Sequence, residues 1–213
     1  MKFSKDMLLL YAVSDQAWTL RRTLYEQIEQ ALAGGVTMIQ LREKQLTRPE
    51  LIAEARALLP LCHSYGAPLI VNDDAEAAVL AGADGVHVGR EDCPVAELRR
   101  RFGPDLIIGA TAKTVEQARA AEASGADYLG VGAVFPSPTK RTALRITAAQ
   151  LKEICNSVRI PAVAIGGIGG ENMAQLAGCG MAGFAVVSAI FGAEDIKKAA
   201  ASLKEQARAV ISA

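Results

Sequence analysis

The chain has 213 residues, 51% of them hydrophobic, and its 23 basic and 23 acidic side chains cancel to a formal charge of zero. That length suits one compact domain able to bury a core without disulfides or a metal staple. Electroneutrality excludes the long-range field that draws in a nucleic acid backbone or an anionic membrane, so any anion binding has to be local.

From the N-terminus onward, short apolar runs rich in Val and Ile recur, each followed by a polar or glycine turn and then a helical pattern. Strands are predicted at Leu8–Val13, Thr37–Leu41, Pro68–Asn72, Gly85–Val88, Leu106–Gly109, Tyr128–Val131, Ala162–Ile165 and Gly183–Val187. Amphipathic stretches at Thr23–Ala33, Arg48–Tyr65, Val115–Ser124, Ala148–Asn156 and Asp195–Ile211 predict covering helices. Glycines at 34–35, 82, 125, 178 and 180 fall where a helix must stop before the next strand. Eight βα units predict an α/β fold, a (β/α)8 TIM barrel forming a single domain over residues 1–213. A doubly wound open sheet is the alternative. Its phosphate fingerprint is missing, because Leu8–Val13 runs into Ser14-Asp15-Gln16 and not into G-x-G-x-x-G.

The four cysteines, Cys62, Cys93, Cys155 and Cys179, show no paired or zinc-type spacing and are expected to be reduced thiols. No segment reaches the roughly 18 apolar residues of a membrane span, and no secretory pattern opens the chain. A cytoplasmic location is the expectation.

Barrel chemistry sits on the loops that follow the strands. After the second strand comes Gln40-Leu41-Arg42-Glu43-Lys44, where alternation places Gln40, Arg42 and Lys44 on one face and turns Ile39 and Leu41 to the helices. Cationic groups at the mouth invite an anionic ligand, since unpaired burial of charge is costly; a salt-bridge cluster with Glu43 or a neighbouring acid is the alternative. The third strand ends in Asn72-Asp73-Asp74 and the fourth leads to Gly89-Arg90-Glu91-Asp92. Paired strands lie about 4.8 Å apart, so Asp73 and Asp92 can approach one cation, and two carboxylates with waters and substrate phosphates are how Mg²⁺ is commonly held. Helix capping is the competing use, and it suits Asp74 better than Asp73.

After the sixth strand, the loop ending in Ser137-Pro138-Thr139-Lys140 offers hydroxyl donors and a point charge for a phosphate, as a lid or as a plain solvated connector. Gly166-Gly167 after the seventh strand and Val187-Ser188 after the eighth suit a second phosphate, or simple turn geometry. His87 should point into the barrel as a hydrogen-bonded core histidine. His63 should sit on a helix surface, Arg99-Arg100-Arg101 should form a solvated helix face, and Cys93 lacks an adjacent histidine to support nucleophilic chemistry.

Taken in order, Tyr11-Ala12-Val13-Ser14-Asp15, Gln40-Leu41-Arg42-Glu43-Lys44, Val71-Asn72-Asp73-Asp74, the segment from Gly85 to Asp92, the loop from Gly130 to Lys140, Ala164-Ile165-Gly166-Gly167-Ile168 and Val186-Val187-Ser188-Ala189-Ile190 closely resemble the thiamine-phosphate synthase family. The match spans almost the whole chain. It implies a Mg²⁺-dependent transferase that joins 4-amino-2-methyl-5-hydroxymethylpyrimidine diphosphate to a thiazole phosphate, releasing pyrophosphate. Small phosphorylated molecules would be its partners, with no nucleic acid or membrane; a homo-oligomer is left open. The resemblance further implies that Gln40, Leu41, Arg42, Glu43, Lys44, Asn72, Thr111 and Lys140 bind the pyrimidine diphosphate. Of these, Arg42, Lys44, Thr111 and Lys140 would act in catalysis. Asp73 and Asp92 would hold the metal, and Ser137, Pro138, Thr139, Gly167, Val187 and Ser188 the thiazole phosphate.

Three positions depart from the family pattern. Thr111 stands where serine is the more usual hydroxyl, Ala133 where proline is expected, and Lys140-Arg141-Thr142 where Lys-x-Asp is common. The residues suit early departure of a diphosphate neutralised by cations, followed by attack of the thiazole nitrogen, with no strong base required. Two other readings stay open: an isomerase of thiazole phosphate, for which His87 could shuttle a proton, and a non-catalytic sensor of thiamine precursors.

Overall fold

All eight predicted strands form: β1 (Leu10–Val13), β2 (Met38–Leu41), β3 (Leu69–Asn72), β4 (Gly85–Val88), β5 (Ile107–Ala112), β6 (Tyr128–Gly132), β7 (Ala162–Ile165) and β8 (Gly183–Val186). The structure, a computed structural model, describes residues 2–18, 22–136 and 144–213. Each strand runs parallel to its neighbours in sequence, and β8 pairs with β1, so the sheet closes on itself and the open-sheet alternative is removed.

The strand limits differ from expectation in an instructive way. Leu8 belongs to a short 3₁₀ turn, Lys5–Leu8, which places its buried side chain under the barrel interior. β5 and β6 continue beyond the predicted ends to Ala112 and Gly132, which carries Thr111 into the sheet.

The covering helices are α1 (Leu24–Ala33), α2 (Arg48–Ser64), α3 (Ala75–Ala81), α4 (Val95–Phe102), α5 (Val115–Ala123), α6 (Ala148–Asn156), α7 (Ser188–Phe191) and α8 (Ile196–Ile211). Between β7 and β8 the described chain forms only a 3₁₀ turn, Met173–Leu176. Reciprocal capping starts α1 with Thr23 and Glu26 and α6 with Thr147 and Gln150, each pair satisfying amide donors that the first turn leaves open. No helix among the described residues is long and apolar enough to cross a membrane.

Strand alternation divides the core in two. One face, including Leu10, Ala12, Ile39, Leu41 and Val71, packs against Ile28, Leu58 and Leu203 of the helices. The other, with Tyr11, Met38, Ile70, Ile107, Tyr128 and Val163, fills the cylinder. All four cysteines are unpaired thiols, as expected. His63 is exposed on α2 and bonds Asp84 at 2.9 Å.

Arg99 overturns the expectation of a uniformly solvated arginine run. It donates to the main-chain oxygens of Gly103 and Leu106 at 2.8 Å and of Gly125, and to Asp127 at 2.7 Å, tying the end of α4 to the turn before β6. Its guanidinium satisfies carbonyls that the helix end and the turn leave without partners. Arg100 and Arg101 remain exposed.

Candidate active site

Below the mouth of the barrel, inward alternation brings Gln40, Tyr11, Tyr128, His87 and Thr111 together from five different strands. Gln40 Nε2 donates to the Tyr11 hydroxyl at 2.6 Å, and the Tyr11 and Tyr128 hydroxyls lie 2.8 Å apart. Tyr128 meets His87 Nδ1 at 3.2 Å, and His87 Nε2 meets Thr111 Oγ1 at 3.1 Å. Burial lowers the His87 pKa to about 4, with the charge of Asp92 acting weakly the other way, so the ring is neutral near pH 7. Burial raises both phenols above their ordinary range. His87 is therefore the hydrogen-bonded core histidine expected from its position, and both of its ring nitrogens are engaged.

At the rim, Asp73 N donates to His87 O at 2.9 Å and Asp74 N to Asn72 O at 2.8 Å, which folds the chain sharply and leaves Asp73 at φ 65°. Such a backbone is uncommon outside glycine and is tolerated by aspartate. Asp74 is committed to the start of α3, accepting from Ala77 N at 2.9 Å, and to Arg48 at 2.6 Å. Asp73 instead turns to Asp92, whose carboxylate comes within hydrogen-bonding reach, and to Lys44, 3.5 Å away. Burial first, then Asp92, raises the Asp73 pKa, and Lys44 opposes the rise. Asp92 Oδ2 also accepts from Gly89 N at 2.7 Å, which orients it. Two carboxylates after adjacent strands thus converge with a lysine beside them. Among the described residues, no larger group of His, Cys, Asp and Glu is placed to share a metal ion.

The expected alternation through Lys44 holds only to Leu41, where β2 ends. Beyond it, Arg42 pairs with Asp15 at 3.3 Å, so the acid that meets this guanidinium comes from the loop after β1 and is not Glu43. Glu43 is buried, accepts from Ser14 Oγ at 2.6 Å, and has its pKa raised chiefly by burial, against the opposing effect of that bond. Ser14 Oγ in turn accepts from Arg42 N at 2.9 Å, so Ser14 and Glu43 brace the loop. Leu41 is sealed in the helix-side core, which leaves only its main chain for a ligand. An open cavity of about 770 Å³ lies over these loops, lined by Asp15, Tyr25, Arg42, Lys44 and their neighbours.

On the opposite side, a Cβ on Gly167 would strike the main chain of Phe135 and Pro136, and one on Gly166 would strike Ala133. These glycines let the turn after β7 press against the loop after β6, where Val134 N and Phe135 N donate to the oxygens of Ile165 and Gly166 at 3.0 Å. Val187 and Ser188 open α7. Ser137, Pro138, Thr139 and Lys140, with Arg141 and Thr142, lie outside the described residues.

Residue reasoning gave no role to Tyr11, Tyr128, Ser14 or Asp15. One signal was present: Gly109 and Gly130 occupy inward positions of β5 and β6, and bare positions inside a barrel mark space taken by a large neighbour. A Cβ on Gly109 would strike the Tyr128 phenol, and one on Gly130 would come within 3.0 Å of the His87 ring.

A closed (β/α)8 barrel with converging carboxylates and cations at the C-terminal ends of its strands defines a class, that of enzymes acting on small molecules at the strand-end loops. The family model for thiamine monophosphate synthase matches residues 10–190. A thiamine-phosphate synthase of Ruminiclostridium cellulolyticum is 45% identical over 202 residues, covering 95% of this chain and 96% of that protein. One of Thiobacillus denitrificans is 44% identical over 195 residues, covering 91% and 92%. The solved thiamine phosphate pyrophosphorylase of Pyrococcus furiosus superposes with a TM-score of 0.89 at 38% identity, covering 97% and 98%. The chain belongs to the thiamine-phosphate synthase family, transferases of thiamine biosynthesis.

Proposed function

We propose that this rim condenses 4-amino-2-methyl-5-hydroxymethylpyrimidine diphosphate with a thiazole phosphate, giving thiamine phosphate and pyrophosphate. Family membership supports the reaction, and the convergence of Asp73, Asp92 and Lys44 is the observation that carries the site assignment. Gln40 and Thr111 face the pyrimidine, and Asn72, Arg42 and Lys44 hold its diphosphate. Lys140 meets the leaving group, while Ser137, Pro138, Thr139, Gly167, Val187 and Ser188 take the thiazole phosphate.

Mg²⁺ fits the donor set. Two crowded carboxylates, one with a raised pKa, gain from a hard cation that takes few protein ligands and completes its shell with waters and phosphate oxygens. Asp73 and Asp92 would hold it, and when bound it would neutralise charge on the leaving diphosphate. Arg42 and Lys44 bind that anion, and their charges favour heterolysis of the carbon–oxygen bond. The ring amino group shares the resulting positive charge before the thiazole nitrogen attacks.

The isomerase alternative needs a proton shuttle, and His87 suits that role poorly: it is neutral, buried, and bonded at both nitrogens. Reduced thiols accord with a cytoplasmic location. Incubating the protein with both substrates and Mg²⁺ should release pyrophosphate, which neither an isomerase nor a sensor does. Asp92→Ala should abolish Mg²⁺-dependent turnover while circular dichroism stays native; full turnover in that variant removes the metal assignment.

A further inference from the structure

The five polar groups inside the barrel form one unbranched series: Gln40, Tyr11, Tyr128, His87 and Thr111. Each hydroxyl, and the neutral imidazole, has a single proton to donate, and a buried O–H left unbonded is costly, so with every buried proton engaged the hydrogen bonds all run in one sense. Gln40 Nε2 donates to Tyr11 at one end. Tyr11 then donates to Tyr128, Tyr128 to His87 Nδ1, and His87 Nε2–H to Thr111, whose own proton is left for the mouth. Running the series backward would exchange both ends together, with Gln40 presenting its NH₂ and Thr111 only lone pairs. The two ends, on β2 and β5, are therefore not independent.

Both ends reach the mouth. Thr111 is half-buried. Gln40 is nearly buried at the C-terminal end of β2, and its Oε1 has no partner among the described residues yet is not one of their fully buried unpartnered atoms, so it keeps a small exposure at the strand end. The interior is shaped around the series. Phe3 stacks on Tyr128 at 5.8 Å from below, Tyr11 meets it edge-on at 5.9 Å, and the bare positions of Gly109 and Gly130 leave room for the Tyr128 and His87 rings.

We infer that Tyr11, Tyr128 and His87 are positioning residues that lock Gln40 Oε1 as an acceptor and the Thr111 hydroxyl as a donor, making the pocket select a pyrimidine with an amino group over one with an oxo group at the same carbon. An exocyclic amino group donates to Gln40, and Thr111 donates to an acceptor of the same substrate, a ring nitrogen or a diphosphate oxygen. An oxo ring offers an acceptor where Gln40 already presents one. Sites that hydrogen-bond a substrate in this way discriminate strongly, because the mismatched pair is left unbonded in a dry pocket. The substrate chemistry rests on the function proposed above; the direction of the series does not.

Tyr128→Phe and Tyr11→Phe each delete one oxygen from the middle of the series and keep the ring. The wild-type protein should prefer the 4-amino pyrimidine diphosphate to its 4-oxo analogue in kcat/KM. Each variant should lose at least about tenfold of that preference, through KM for the pyrimidine substrate, with KM for the thiazole phosphate unchanged. A preference that survives in both variants, even with lower activity, overturns the inference. Because the chain has only two histidines, ¹⁵N NMR of ligand-free protein in a His63→Gln background reads the His87 ring directly. Protonated Nε2 with bare Nδ1 is expected, and the opposite tautomer refutes the assigned sense. That spectrum decides the direction whatever the pyrophosphate assay returns.

Discussion

Replacing His87 with asparagine should flatten the acid side of the stability profile. The histidine has an ordinary pKa of 6.5 and a folded-state value near 4, because the barrel interior disfavours the imidazolium. As pH falls below 6.5 the unfolded chain takes up the proton first, so unfolding becomes easier. The stability from keeping the ring neutral is fully present above 6.5, is lost as pH falls toward 4, and changes no further below both values. Linkage puts the loss at about 2 kcal/mol between about pH 7 and about pH 5, and at about 3 kcal/mol in total. Asp73 and Glu43, with raised pKa values, act in the opposite direction, since protonation relieves them in the folded state. They are common to both proteins and largely cancel in the difference. Urea unfolding of wild type and His87→Asn, followed by circular dichroism at the two pH values, measures it. The gap between the two proteins should shrink by about 2 kcal/mol at the lower pH. An equal gap at both would mean that His87 is not held neutral by burial.

Arg99→Ala should cost about 1–3 kcal/mol in chemical denaturation, because it removes the shared donor of three carbonyls and leaves Asp127 with Ile108 N but without its cation, and Arg99→Lys should recover only part of this. Gly109→Ala should destabilise by at least about 1–3 kcal/mol, and by more than Gly130→Ala, since its added methyl meets the Tyr128 phenol directly while the other falls at the edge of the His87 ring. Melting temperatures of the two variants rank them.

The barrel was legible because strands buried on both faces read as unbroken apolar runs, and because glycine marks the helix ends before the strands. Thr111-Ala112 and Gly132 look like loop residues in isolation, and only pairing with Gly130, Val131 and Ile165 extends β5 and β6 over them. The approach of Asp73 to Asp92 followed from strand order alone, once β3 and β4 were recognised as neighbours. Orientation at Arg42 and Glu43 did not, because the period of two lapses at the end of β2 and Ser14, from another strand's loop, decides which side chain turns in. The contact between Tyr11 and Tyr128 joins residues 117 positions apart. No local pattern encodes it; it exists only when the ring of strands is complete. Arg99 was misread for the same reason, as its acceptors come from beyond its own helix.

Pairing of β8 with β1 has a consequence for self-association. Leu10-Tyr11-Ala12-Val13 and Gly183-Phe184-Ala185-Val186 are wholly buried segments with no charge and no proline. In the circle, each has both edges occupied, so neither offers a template to another molecule. Parting at that seam would bare two sticky ribbons at once, and the hazard of intermolecular β-stacking is thus confined to the interval before the seam zips shut.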